Sequence, residues 1–526
     1  MKKLIYLTLF STTFFSCTKN FEKINTPPKD PVTASTEELF NGIISSLPVT
    51  AGEYSVMNSW IYPITQQGVV AGSNSYNFDN ARGGLWTTYY QAMANYRLIQ
   101  SRIEAAATPA SMNNLYAMLK TLMAYKTFKN TNYFGNMPYS KAGYAPINGA
   151  AGYNVPYDKQ EDIYPAILTD LKWAVDNLST AAGQYSPGNY DTFLKGDIAK
   201  WTKFANSLRL YVAITMYDKN SSLAGPQIAE ALGKPLLTDG EDIGLWPTAI
   251  PGLEFQWRQW SFTQDCNLRM GSTMWNLLSD NNNTDGSGIF DIRAKIFFET
   301  NGANSWVAIP QNQATVTETG TPYNIANRDI DWNNKGNTNY SAFNFYFVKD
   351  VKYIPELMLT AAQVHFLKAE AYNRGLGVTA NQTTAKAAYD AGVTASLTMW
   401  KKIAFNTPSW AVNKPAQEAL TTAELNQVLT NSKVAYNTAD AAGSLLKIYA
   451  QTWIDQYRQP FDAWTLLKRT GGKTPMATTD AGNYTGKYGK LYKFRYPDEE
   501  QSFNNANWKA ETGGSDVSDK KIWIQP

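Results

Sequence analysis

Residues 85–106 read LWTTYYQAMANYRLIQSRIEAA, and residues 115–131 read LYAMLKTLMAYKTFKNT. In the first stretch Trp86, Tyr90, Met93 and Arg97 recur at spacings of three and four, the period of one helix face. In the second, Leu115, Met118, Leu119, Leu122 and Met123 keep the same period, and Gly135 with Pro138 supplies a stop. The two stretches predict a helix pair. The pattern returns at Asp162–Leu178 with Asp197–Tyr217, at Met358–Asn373 with Thr384–Trp400, and at Glu418–Thr430 with Ala441–Tyr457.

About four pairs of this size predict a mainly α chain, built as a tetratricopeptide-like solenoid in which small residues let neighbouring helices close up. Ala124 with Phe128, and Ala369-Glu370-Ala371-Tyr372, follow the small-then-aromatic habit of such repeats, although no window carries the full repeat pattern. The pairs occupy about 85–219 and 358–457. Between them, about 220–357, Gly, Pro, Asn and Asp are frequent and short alternating runs occur. Leu253, Phe255 and Trp257 alternate with polar residues, as do Phe343, Phe345 and Phe347, which predicts a few short strands with one buried face. The insert returns the chain to helix pairs, so it is read as the irregular half of one domain spanning 17–526.

The chain opens MKKLIYLTLFSTTFFSC. Lys2 and Lys3, an apolar run from Leu4 to Phe15 and the small Ser16 have the layout of a secretory signal over 1–16. The run is too short for an anchor, which takes about 20 apolar residues. Phe14-Phe15-Ser16 ahead of a cysteine resembles a bacterial lipobox, which implies that Cys17 becomes the lipid-bearing first residue. An ordinary signal with a cysteine nearby by chance is the alternative. Lys19–Pro31 is polar and Pro-rich, as a tether between lipid and folded body should be.

Charged residues make up 17% of the chain, below the roughly 25% of an average soluble protein, while aromatics reach 13%. Such a surface suits neutral polar ligands. Net charge is +3 with no basic run, which argues against nucleic acid as a partner. Of two cysteines, Cys17 and Cys266, a lipidated Cys17 leaves Cys266 as a buried small hydrophobe; a bridge between them is the other formal option. The sole histidine, His365, lies inside a helix pattern, and no G-x-S-x-G elbow presents a serine, so no catalytic residue is assigned. No His/Cys cluster calls for a metal. Gly375, Gly377 and Ala380 match G-x-G-x-x-A but follow a helix, which reads as a C-cap and loop and not as a dinucleotide site. Asn281–Gly286 opens like a calcium loop, yet Ile292 stands where the bidentate acid belongs.

Several phrases together resemble the SusD/RagB family of nutrient-binding outer-membrane lipoproteins. They are Tyr133–Tyr139 (YFGNMPY), Asp197–Leu208 (DIAKWTKFANSL), Leu359–Gly375 (LTAAQVHFLKAEAYNRG), Phe461–Trp464 with Lys468–Gly471, Arg495–Asn504 (RYPDEEQSFN) and Ile522-Trp523-Ile524. The chain departs from the family at Asn136, where an acid is usual, and at Ala362-Gln363, where Ala-Glu is common. The resemblance implies tetratricopeptide-like units beside a ligand-bearing half, with no enzymatic activity and no cofactor. It also implies a lipid-anchored position on the cell outer membrane, as a lid over a TonB-dependent, SusC-like transporter. The ligand class it implies is a nutrient, often an oligosaccharide. A structural scaffold of an outer-membrane complex and a peptide-binding lid remain alternatives.

Sugar rings offer apolar C–H patches and a hydroxyl rim, so an aromatic ring beside polar side chains is the expected recognition element. Trp257 shares a strand face with Leu253 and Phe255 and is expected inside. Trp260 lies off that register beside Arg258. Trp306, Tyr323 after Pro322, Trp332 and Tyr76 are each flanked by small or polar residues. Trp260, Trp306, Tyr323, Trp332, Tyr76 and Arg258 are therefore the candidate ligand-binding residues. Trp86, Tyr90, Trp201 and Phe204 are expected in the core.

Overall fold

A computed structural model of the protein describes residues 34–72, 76–247, 267–311, 317–318, 320–408, 410, 413–476 and 486–526. The proposed signal 1–16, Cys17, Trp257, Arg258, Trp260 and Cys266 lie outside the described residues. None of the described helices is long and apolar enough to cross a membrane.

The chain enters the fold through α1 (Thr36–Ile44), started by a capping box in which Ser35 Oγ accepts from the Glu38 N–H and the Glu38 carboxylate accepts from the Ser35 N–H. The first expected pair is α2 (Arg82–Glu104) with α3 (Asn113–Phe134), and the second is α4 (Gln160–Asn177) with α5 (Ile198–Met216). Asp197 caps α5 by accepting from the Lys200 N–H. After α6 (Ser221–Leu232) and the insert come α7 (Ala361–Arg374) with α8 (Gln382–Asn406), then helix Thr422–Leu429 with α9 (Ala441–Asp455). A further helix, α10 (Pro460–Arg469), packs back against α9 and α5. Gly375 ends α7 at φ 72°, a left-handed turn that costs glycine least, and its N–H bonds to Ala371 O.

The buried face of α2 runs Leu85, Tyr89, Ala92, Tyr96, Ile99 and Ile103, one position away from the expected stripe. Trp86 and Met93 of the expected stripe are buried too, but Tyr90 and Arg97 are half-buried. They lie under the 138–142 loop, with Tyr90 donating to Pro138 O and Arg97 Nε to Ala142 O. Helix α3 is buried on almost every side because α2, α4 and α5 surround it. Two of its lysines are paired there: Lys126 Nζ donates to Ser46 O and Lys129 to Asp462, both at 2.6 Å.

The insert begins differently from expectation. Residues 221–232 form a helix that packs on α5, hidden in the sequence because Gly225-Pro226 interrupts it and Pro226 lacks an N–H to bond back. Beyond it the strands are short. Antiparallel β1 (Val69–Val70) pairs with β3 (Leu268–Arg269), and β2 (Ile243–Leu245) pairs with β4 (Glu356–Leu359). Phe343, Phe345 and Phe347 do not form a strand: Phe343 makes an isolated bridge to Phe298, and Tyr346–Lys349 is a helical turn. All three rings are buried, so the alternation marked no exposed face. Arg293 ties this half to the helices, donating to both Asp291 oxygens, to Ser396 Oγ of α8 at 3.0 Å and to Gln451 Oε1 of α9 at 2.6 Å.

Candidate functional site

Gln66, at φ 58°, ends the short helix Tyr62–Thr65 and turns the chain into β1. The β1–β3 ribbon is extended by the Ala71 N–H, which donates to Asn267 O at 2.9 Å, and by a bridge from Gly271 to Ile309. Arg269 of β3 is fully buried and fixes the neighbouring loops: its Nε donates to Glu318 at 3.0 Å and its Nη2 to Gly320 O at 2.8 Å. Burial alone would raise the Glu318 carboxyl; the Asn339 N–H and Arg269 hold it below its ordinary value.

Against this frame the candidate aromatics separate. Trp306 and Tyr323, expected to face outward, are buried at 6% and 2% exposure. The Trp306 indole stacks on Trp275 at 5.9 Å and 15°. The Tyr323 hydroxyl accepts from the Phe343 N–H at 2.9 Å and faces Leu268 O at 3.4 Å. Their polar flanks face water while the rings fill the core, and an irregular half has many backbone groups for a tyrosine hydroxyl to satisfy. Trp332 is half-buried, edge-on to Phe345 at 5.1 Å and under Arg328, whose guanidinium is held by both Glu299 oxygens. Tyr76 is also half-buried and sits beside a tryptophan that the sequence did not flag: Trp60 Nε1 donates to Tyr76 O at 2.6 Å. Trp60 meets Phe78 and Tyr488 edge-on at 5.8 Å, and Lys487 Nζ lies 5.7 Å from its ring. The structure does not bring Trp332 to Tyr76 through any contact of their rings.

A second concavity, of 620 Å³, lies where the β2–β4 ribbon meets α8. Trp246 directly follows β2, and Tyr353 closes the turn before β4; both are half-buried at its wall. Across from them α8 presents Ala395, Met399, Lys402, Ile403 and Asn406, a stripe at helical spacing that continues past the expected end of that helix at Trp400. Asp242 lies on the floor beside the start of α7, with the more exposed Asp239 next to it at the edge. Asp242 Oδ1 accepts from the Ala361 N–H at 2.9 Å, and burial pushes its carboxyl up to about 6, with Asp455 adding to the rise against the opposing Ala361 bond. His365 Nε2 is 2.9 Å from Asp239 Oδ1, and burial depresses the imidazole. No group of three or more His, Cys, Asp or Glu among the described residues is placed to hold a metal ion.

Paired helices thus stand beside a loop-rich half that carries half-buried aromatic rings. Residues 28–497 match the family described as "Starch-binding associating with outer membrane", and the chain belongs to this SusD-like family. No curated protein matches it. Among solved structures it is similar to a chitin-binding protein, at 19% identity and a TM-score of 0.71 over 94% of this chain and 100% of that one. A SusD homologue from Parabacteroides distasonis is similar at 19% identity and a TM-score of 0.68, over 94% and 98% of the two chains. A chitin-binding SusD homologue from Flavobacterium johnsoniae gives 20% identity and a TM-score of 0.64, over 92% and 97%. At these identities the likeness establishes the fold.

Proposed function

We propose that the protein is a lipid-anchored outer-membrane binder that captures a glycan at the cell surface. The glycan then passes to a TonB-dependent, SusC-like transporter. The match to the SusD-like family over residues 28–497 carries this reading. Two similar structures are named as chitin-binding, which supports a saccharide as the ligand class. Tyr76 and Trp60, together with Trp260 and Arg258 from the sequence, are the proposed recognition residues, with Trp332 as an outlying member. The contact between Trp60 and Tyr76 favours this placement, because Trp60 Nε1 donates to Tyr76 O at 2.6 Å and both residues are half-buried. Cys17 is the proposed anchor.

Titrating the purified full chain with chito- and malto-oligosaccharides, and with a peptide pool, tests the proposal. Saturable glycan binding without turnover is expected; saturable peptide binding alone would redirect the function to a peptide lid. One observation favours a docking role alongside capture. Tyr153 and Phe503 are 71% and 78% exposed, and Asn504 Nδ2 donates to Val155 O, which puts the two on a shared edge. Co-purification with the transporter and no ligand of either class would favour a scaffold.

A further inference from the structure

We infer that the cleft between the β2–β4 ribbon and α8 is a second saccharide site, separate from the Tyr76 region. Its volume, 620 Å³, falls within the roughly 300–1,000 Å³ of small-ligand pockets. One wall is apolar, with Trp246 and Tyr353 on the ribbon side and Met399 and Ile403 on α8. Both aromatic rings are half-buried, so each is held by packing yet keeps accessible surface. The rest of the lining is polar and of mixed sign: Lys200, Lys402 and Asn406 stand with Asp239 and Glu418, and Asp242 lies on the floor.

That combination selects a ligand class. Three carboxylates against two ammonium groups leave no strong field of either sign, which disfavours a highly charged ligand. An aliphatic ligand would leave the rim's donors and acceptors unpaired, at a cost per buried group. A pyranose satisfies both walls, its C–H face against indole or phenol and its hydroxyls against the rim. Asn406 Nδ2 already donates to Glu418 at 3.1 Å and Asp239 meets His365, but neither Lys200 nor Lys402 makes an ion pair with a described residue, so both ammonium groups keep donors for a ligand. A volume of 620 Å³ suits a ligand of small-molecule size, so the ligand is a short oligosaccharide or the end of a longer chain.

This assignment rests on the reading of the protein as a glycan binder, and the experiment separates the two. Chitotetraose and maltotetraose are titrated calorimetrically into the full chain and into Trp246→Ala, Tyr353→Ala, Lys402→Gln and Tyr76→Ala, each checked for an unchanged melting temperature. The expected result is two equivalents bound by the wild type, with one lost or weakened at least tenfold in Trp246→Ala. Lys402→Gln, at an exposed position, guards against misfolding and is expected to weaken the same event about threefold or more. A single binding event lost in Trp246→Ala also supports the cleft. Glycan binding unchanged in Trp246→Ala, Tyr353→Ala and Lys402→Gln but lost in Tyr76→Ala overturns the second site and leaves the function standing. No binding of either glycan overturns the function, and the second site with it.

Discussion

Glu370 of α7 accepts from Arg469 of α10 through both oxygens, Oε1 from Nη1 at 2.9 Å and Oε2 from Nη2 at 2.7 Å. The pair is buried, and Arg374 Nη1 and the Tyr449 hydroxyl add bonds to Oε1 at 2.9 and 3.0 Å. Burial alone would raise the Glu370 carboxyl, but Arg469 and Arg374 together hold it below its ordinary value. Removing Glu370 leaves the buried Arg469 without its carboxylate, and removing Arg469 strips Oε2 of its partner and leaves Glu370 only the Arg374 and Tyr449 bonds to Oε1. Arg469→Met is expected to destabilise by about 3–5 kcal/mol, and Glu370→Leu with Arg469→Met by less than the sum of the single changes. Urea midpoints of the four proteins measure this; additive effects would mean that the fork contributes little.

Trp201 is completely buried on α5, with Nε1 donating to Asp191 Oδ2 at 2.8 Å and its ring against Phe193 at 5.7 Å. Trp201→Ala is expected to cost about 3–5 kcal/mol, through a large cavity and a lost bond. Trp86, at 8% exposure and packed on Phe134 and Tyr496, should lose somewhat less on truncation. Thermal melts within a degree or two of wild type would place either ring outside the core.

The helix pairs were legible because their information is local: an apolar residue every three or four positions, with a side-chain cap at the start of α5, α7, α8 and α9 and a glycine at the end of α3 and α7. The Glu370–Arg469 fork was visible only as two separate phrases, since its partners stand 99 residues apart. The site was harder to read because flanking polarity reports the backbone's surroundings and says little about a ring. Trp306 and Tyr323 have polar neighbours and buried rings, whereas Trp60, between Ser59 and Ile61 in a mostly buried helix, keeps a partly exposed one. Trp246 and Tyr353 escaped notice for the same reason: their cleft is made by α8 and the β2–β4 ribbon, which no local pattern brings together.

Burial therefore divides the candidate aromatics by experiment. Tyr323→Phe is expected to cost about 1–3 kcal/mol of stability by removing the hydroxyl that accepts from the buried Phe343 N–H, with glycan affinity unchanged. Tyr76→Ala should do the reverse, weakening binding by more than about 1 kcal/mol at an unchanged melting temperature. Paired melting and titration curves decide; a stability loss without an affinity loss at Tyr76 would remove it from the site.

Cys17→Ala is expected to release the protein from membranes, because a lipid on that residue is the proposed anchor and no described helix spans a bilayer. Fractionation should be done without the transporter, which could retain the variant through protein contacts. Retention after a salt wash would count against lipidation.

The last prediction concerns pH and the floor of the cleft. Burial raises the Asp242 carboxyl to about 6 in the folded protein, with the Asp455 and Asp239 charges contributing, against about 3.9 in an unfolded chain. The folded state thus holds this proton more tightly than the unfolded state does. The resulting stability is fully present below about pH 4 and is lost as pH rises through about 6, where the fold must carry a poorly solvated charge. Asp242→Asn removes that charge and keeps an oxygen to accept from the Ala361 N–H. It should raise stability by on the order of 1–2 kcal/mol at pH 8, with the gain shrinking towards zero near pH 4. Denaturation midpoints of both proteins across that range supply the test. A variant less stable than wild type at pH 8, or a gain independent of pH, would show that the Asp242 carboxylate is favourably held and that the floor of the cleft is better solvated than its burial indicates.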